Sequence, residues 1–250
     1  MHHMTGLIFD GAVPHKPCSA RLLAAIFAHP DFGPMSFVIY WRMGKMRSNS
    51  LTAARILRLN QDMRDSPLMD AVRRFHALSM ASKLPYCIIG GMAVIRNGYP
   101  RTTVDVDILT YKKEWQQLLP LYGDISSKGA EGCIDNRTGV TIDILFRDDD
   151  WQMVMDMPDP RESGQYDEEL GAIFMGLHEL VQLKTAVYFD KLRSRGEDVA
   201  SKDRSDVYEL IRRNLSQFSR KVIETYDPAV RKHCLNAFQA AVRAAKGEGK

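Results

Sequence analysis

Two carboxylates stand two residues apart, Asp105 and Asp107, and thirteen residues separate them from a glycine pair, Gly90-Gly91. That spacing constrains the chain more than any other feature. The acids are interleaved with Val104, Val106 and Ile108, a composition that favours a strand. In a strand, side chains at i and i+2 point the same way. Arg101, Thr103, Asp105 and Asp107 therefore share one polar face, and Thr102, Val104, Val106 and Ile108 share the other, which packs on the core. Alternation alone describes any half-buried strand. Two acids on neighbouring same-face positions are less ordinary, because like charges repel. A divalent cation removes that repulsion; the plainer alternative is a solvated strand face.

The glycines follow an apolar run, Tyr86 to Ile89, and precede a short helical stretch, Met92 to Asn97. Glycines at a strand-to-helix junction let the backbone approach a phosphate, which the free N–H groups of the first helical turn then bind. Taken alone, Gly-Gly is equally a tight turn. A third acid, Asp143, lies in Thr141 to Phe146, with Ile142 and Ile144 on the opposite face. Burying a lone carboxylate is costly unless it is paired or metal-bound. Beside the first two it completes a three-carboxylate site, which can hold metals that activate an attacking hydroxyl and stabilise a leaving pyrophosphate.

The wider pattern predicts a helix over 68–80, a strand over 86–89, a turn at Gly98-Tyr99-Pro100 and a strand over 103–109. A helix over 112–121 follows, then a hairpin of 131–135 with 140–146. The Asp148-Asp149-Asp150 run and Pro158-Asp159-Pro160 read as a linker or exposed excursion. From Leu177 on, helices are expected near 177–193, 202–214 and 227–245. Three regions result: a poorly defined extension, 1–62, with a short helix at Ala20–Ala28 and a strand at Phe37–Trp41; an α/β core, 63–150; and a helical module, 175–250. His76 and His178 read as core-edge residues, and Trp115 and Trp151 as packing residues.

The net charge of +3 is mild, but from Lys184 onward fifteen Lys and Arg face nine Asp and Glu. That excess suits a polyanionic partner or a solvated helical surface. Cys18, Cys87, Cys133 and Cys234 have no CxxC spacing and read as reduced, cytoplasmic thiols. No apolar run approaches the length of a membrane span.

The string from Gly90 to Asp107, with Asp143 on a later strand, resembles the signature of the nucleotidyltransferase superfamily. In full, Gly-Gly-Met-Ala-Val-Ile-Arg-Asn-Gly-Tyr-Pro-Arg-Thr-Thr-Val-Asp-Val-Asp, it is similar to the AbiEii-type branch of toxin–antitoxin and phage-abortive systems. That branch carries a downstream Lys followed at a distance by Lys-Asp; here Lys184, seventeen residues, then Lys202-Asp203. The resemblance covers roughly 85–212. It implies a mixed-sheet α/β (α+β) polymerase beta-like core with a C-terminal helical module. It implies transfer of a nucleoside monophosphate from an NTP to a hydroxyl of RNA (tRNA) or protein, with an antitoxin as a possible partner. It assigns Mg²⁺ (or Mn²⁺) to Asp105, Asp107 and Asp143, and nucleotide contacts to Gly90, Gly91, Lys184, Lys202, Asp203, Thr103 and Arg101.

Read from the residues, Lys184 lies in the apolar arc of Leu177, Leu180, Val181 and Tyr188, so it either snorkels to the edge or reaches a polar site. Asp203 is expected in a first helical turn behind a Ser201 cap, where the helix dipole already favours an acid. Two other classes stay open: a nucleotide-binding module of the same fold without catalysis, and a nucleic-acid-binding protein using its basic helices.

Overall fold

The computed structural model describes residues 66–127 and 132–247. The extension over 1–62, with its expected helix and strand, lies outside them. Helix α1 (Pro67–Ala81) starts where Ser66 accepts the Met69 amide and Pro67 occupies the first turn, which costs no hydrogen bond there. Strand β1 (Cys87–Ile88), helix α2 (Gly90–Arg96) and strand β2 (Asp105–Thr110) follow, then helix α3 (Lys112–Leu118). Strands β3 (Ile125–Ser127), β4 (Gly132–Asp135) and β5 (Val140–Phe146) complete the first half. After the short helix α4 (Pro160–Ser163) come β6 (Gly164–Asp167) and β7 (Ala172–Met175). Helices α5 (Leu177–Arg195), α6 (Glu197–Arg213), α7 (Arg220–Ile223) and α8 (Pro228–Ala245) end the described chain.

The strands form one mixed sheet of seven, in the order β3-β4-β5-β2-β1-β7-β6. β2 runs parallel to β5 and β1 parallel to β7; the other pairs are antiparallel. Val106, Ile108, Ile142 and Ile144 are buried on one face, and α1 packs across β2, β5 and β7. Asp105, Asp107, Thr141 and Asp143 alternate with them and are half-buried. α5 and α6 pack on each other, and α8 packs on both, giving an α/β core with a C-terminal helical module.

Residues 164–175, to which the sequence assigned no element, form a β-hairpin that extends the sheet, with Ile88 paired to Phe174. Three expectations need correction. The second strand begins at Asp105, so Thr103 is buried ahead of it and Val104 is 40% exposed instead of joining the core. The 112–121 helix ends at Leu118 and tightens to a 3-10 turn over Leu119–Leu121. α6 begins at Glu197, because Gly196, at φ 83°, breaks the chain there in a backbone region that only glycine enters freely. Lys202 and Asp203 therefore sit in the second turn, and Ser201 lies inside the helix, its hydroxyl donating to the Asp198 carbonyl.

Candidate active site

The start of α2 lies directly against the polar end of β2. Gly90 adopts φ +60°, and a Cβ there would overlap the Asp107 carboxylate. A Cβ on Gly91 would overlap Thr103 Oγ1 and crowd Arg101 Nη2. The glycine pair is thus required first by the side chains packed over it. The Gly91 amide donates to the Asp107 carboxylate, so one N–H of the expected phosphate cradle is engaged by the acid itself. Thr103 Oγ1 donates to Asp105 Oδ1 at 2.9 Å and fixes the other carboxylate.

Asp143 pairs with Asp107 in the parallel β2–β5 ladder, so the third acid stands beside the second on the same face. Burial first, then the charge of Asp105 and, more weakly, that of Asp143, push the Asp107 carboxyl up to about 6; Lys184 and the Gly91 amide work the other way. Asp105 and Asp107 line a cleft of about 410 Å³, whereas Asp143 is not among its lining residues. Among the described residues, no three His, Cys, Asp or Glu side chains are gathered closely enough to hold a metal.

Four cations close the cleft, Arg101 from the segment ahead of β2 and Lys184, Lys191 and Lys202 from α5 and α6. Arg101 Nη1 donates to Asp206 at 2.7 Å. Lys184 Nζ is buried between Asp203 at 2.9 Å and Asp206 at 3.0 Å, and Lys191 holds the other oxygen of Asp203 at 2.6 Å. Burial alone would lower the Lys184 ammonium, but Asp206 and Asp203 outweigh it and hold it above its usual value. Burial opposes ionisation of Asp203 in the same way, and Lys184 and Lys191 overcome it and hold that acid low. Lys202 differs: it lines the cleft without an ion pair among the described residues. Burial, then Arg101 and Lys184, lower its ammonium. Asp206 and Asp105 act the other way, and an anion entering the cleft would add to them.

The remaining wall is mostly apolar, with Leu145, Trp151, Met153, Met157, Leu180, Leu183 and Val187, and Gln152 and Asp190 are its polar members. Of the sequence-predicted site residues, Gly90, Gly91, Arg101, Asp105, Asp107, Lys184, Lys202 and Asp203 line this one cleft, and Thr103 lies behind Asp105. Lys191 lines the cleft without having been singled out, and Asp206, which does not line it, pairs with Lys184 and Arg101. Lys191 sits two helical turns from Lys184, and Asp206 one turn from Asp203, spacings that put each pair on one helix face. Trp151, expected only as packing, lines the cleft.

No known family model matches the chain, and no curated protein matches it. Among solved structures it is similar to ANT(2")-Ia in complex with adenylyl-2"-tobramycin: TM-score 0.43, 12% identity, 69% of this chain and 97% of that one. A solution structure of the antibiotic-resistance factor ANT(2'')-Ia gives TM-score 0.43 and 12% identity, over 72% of this chain and 95% of that one. An antigenic nucleotidyltransferase-like protein from Paracoccidioides brasiliensis gives TM-score 0.40 and 17% identity, over 58% and 76%.

Proposed function

We propose that the chain transfers a nucleoside monophosphate from an NTP to a hydroxyl acceptor. One observation carries this: the carboxylate pair Asp105 and Asp107, the glycine start of α2 and Lys202, which has no ion pair among the described residues, meet in a single cleft with a mostly apolar wall. Acids alone would suit a metal, and cations alone a phosphate. The two together, beside an apolar surface for a base and sugar, suit a metal-bound nucleotide.

Oxygen donors of this kind fit a hard cation, and a buried acid next to two like charges is short of positive charge. Asp105 and Asp107 would hold Mg²⁺ or Mn²⁺, with Asp143 as the third carboxylate beside Asp107. The cation, when bound, neutralises phosphate charge and lowers the pKa of a coordinated hydroxyl. Gly90 and Gly91 leave room for the triphosphate to approach the backbone. Lys202 pairs with it directly. Lys184 and Arg101, held by Asp203 and Asp206, fix the positive wall it faces. The acceptor oxygen bonds to the α-phosphorus, the bond to the β-bridging oxygen breaks, and pyrophosphate leaves. The acceptor proton passes to water in the open cleft. Positioning and charge, rather than covalent catalysis, supply the acceleration.

The acceptor is RNA or protein, and the AbiEii-type string favours a toxin-like role with an antitoxin partner. Incubation of the protein with each α-labelled NTP, Mg²⁺, total RNA and cell protein tests the reading. Wild type should label one acceptor, and Asp105→Ala and Asp107→Ala should not. Absence of labelling with every NTP, or full labelling by the two variants, would refute it.

A further inference from the structure

The two polar residues of the cleft's apolar wall, Gln152 and Asp190, are joined by one side chain. Arg193 Nη2 donates to the Gln152 carbonyl at 2.9 Å and to Asp190 Oδ1 at 3.2 Å. Trp151 and Met153, which flank Gln152, line the cleft, and so does Val187, about one helical turn before Asp190. Trp151 is fixed in turn by its indole N–H, which donates to the Phe146 carbonyl. Asp190 therefore stands where the loop after β5 meets α5. Its Oδ2 accepts no hydrogen bond among the described residues. This corner is set apart from the acids of the sheet. Lys184 acts on Asp107 through its charge, and Asp190 lies further along α5 by roughly 9 Å of helix axis. Lys191, next in the chain, pairs with Asp203 instead.

We infer that Asp190 selects the base of the nucleotide: it accepts a hydrogen bond from an exocyclic amino group, so that an amino-bearing base is taken and uracil is disfavoured. The inference rests on the nucleotidyl-transfer reading and names the class of NTP that the cleft takes. With the triphosphate at Asp105, Asp107 and the Gly90-Gly91 turn, a nucleoside laid along the apolar wall carries its base toward Asp190. The Trp151 ring and the Met153 thioether offer that base flat and polarisable contact. Those contacts suit any base. The carboxylate is choosier, because one paired with an arginine accepts hydrogen bonds and donates none. It suits the amino group of cytosine, as carboxylates do when they read that base in nucleic acids. Uracil places a carbonyl oxygen where cytosine carries the amino group, and two acceptors then face each other. Arg193 sharpens the choice, since it holds Oδ1 and leaves Oδ2 for the ligand. A wall without Asp190 would separate bases by size alone.

Calorimetric titration of the full chain with the Mg²⁺ complexes of CTP, UTP and inorganic tripolyphosphate tests this. CTP and UTP match in size and differ at the edge that Asp190 would read. Wild type should bind CTP about tenfold more tightly than UTP, the size of one hydrogen bond to a charged group. Asp190→Asn keeps the shape and can donate to the uracil carbonyl. It should erase that ratio and leave tripolyphosphate affinity unchanged. Trp151→Ala should weaken CTP and UTP alike and leave tripolyphosphate unchanged. The inference is overturned if wild type binds CTP and UTP equally, or if Asp190→Asn keeps the wild-type ratio. It is also overturned if either variant weakens tripolyphosphate as much as CTP, since the residue would then serve the phosphates or the fold rather than the base. Failure of wild type to bind tripolyphosphate and both nucleotides would instead refute the nucleotidyl-transfer reading, and this inference with it.

Discussion

Gly90 has φ +60° and an acid oxygen where a side chain would begin. Gly90→Ala combines a left-handed backbone, costing about 1–2 kcal/mol, with a displacement of Asp107. Nucleotidyl transfer should fall at least a hundredfold and the melting temperature should drop, both measurable on purified protein. Asp107 gives a second, signed prediction. Its folded carboxyl is raised to about 6 from an ordinary 3.8, so the acid favours folding only while protonated. That contribution is complete below about pH 4 and is lost as pH rises through 6. In metal-free buffer, Asp107→Asn should therefore match wild-type stability near pH 4 and exceed it above pH 7, by about 1–3 kcal/mol. Denaturant titration at the two pH values measures the difference. This acid pair was legible in the sequence because a period of two settles which side chains share a face. Asp135 was not: it is the fully buried carboxylate among β-residues, satisfied by Arg74, Tyr122 and the amides of Arg137 and Thr138. The cost of burying an acid drew attention to Asp143, yet it describes Asp135 better.

α5 and α6 are joined through charge as well as packing. Lys184 and Lys191 on one helix grip Asp203 on the other, and Asp206 links both to Arg101 ahead of β2. Removing one partner from such a buried set leaves the others uncompensated, which costs on the order of 3–5 kcal/mol. Asp203→Ala should lower stability by that order, and nucleotide affinity with it, as Lys184 and Lys191 lose their fixed positions. Because Lys184 and Lys191 hold Asp203 below its usual pKa, its contribution is present at neutral pH and fades as pH falls below the ordinary carboxylate range. A thermal melt series over pH 3 to 7 should show the wild-type advantage over the variant shrinking at the acid end. The helices themselves were legible from their apolar arc, which is buried as expected at Leu177, Leu180, Val181, Lys184 and Tyr188. Their junction was not, since a single Gly196 both ends one helix and precedes the next. β7 escaped notice for another reason. Four apolar residues, Ala172–Met175, run almost directly into α5, and so short a run has no period to distinguish strand from helix.

At the scale of the whole molecule, the sheet presents its acids to the helical module, and the module answers with cations. No local pattern reveals that meeting; it follows from the β5-β2-β1-β7 order, which places the start of α5 beside α2. A ligand that needs both sides should brace them. Mg²⁺ with the preferred NTP, at about a hundred times its Kd, should stabilise the fold by roughly 2.7 kcal/mol, a rise of several degrees in melting temperature. Lys202→Ala should reduce that rise while barely altering the melt of the free protein, because among the described residues Lys202 has no ion pair to lose. Among the described residues no helix is long and apolar enough to cross a membrane.

In the proposed reaction the bond broken lies between the α- and β-phosphates. Parallel reactions with α-labelled and γ-labelled NTP, the preferred base, Mg²⁺ and the acceptor test it directly. Acceptor should carry the α-label only, with the γ-label recovered as pyrophosphate. Acceptor carrying the γ-label, or γ-label recovered as free phosphate with unlabelled acceptor, would contradict it.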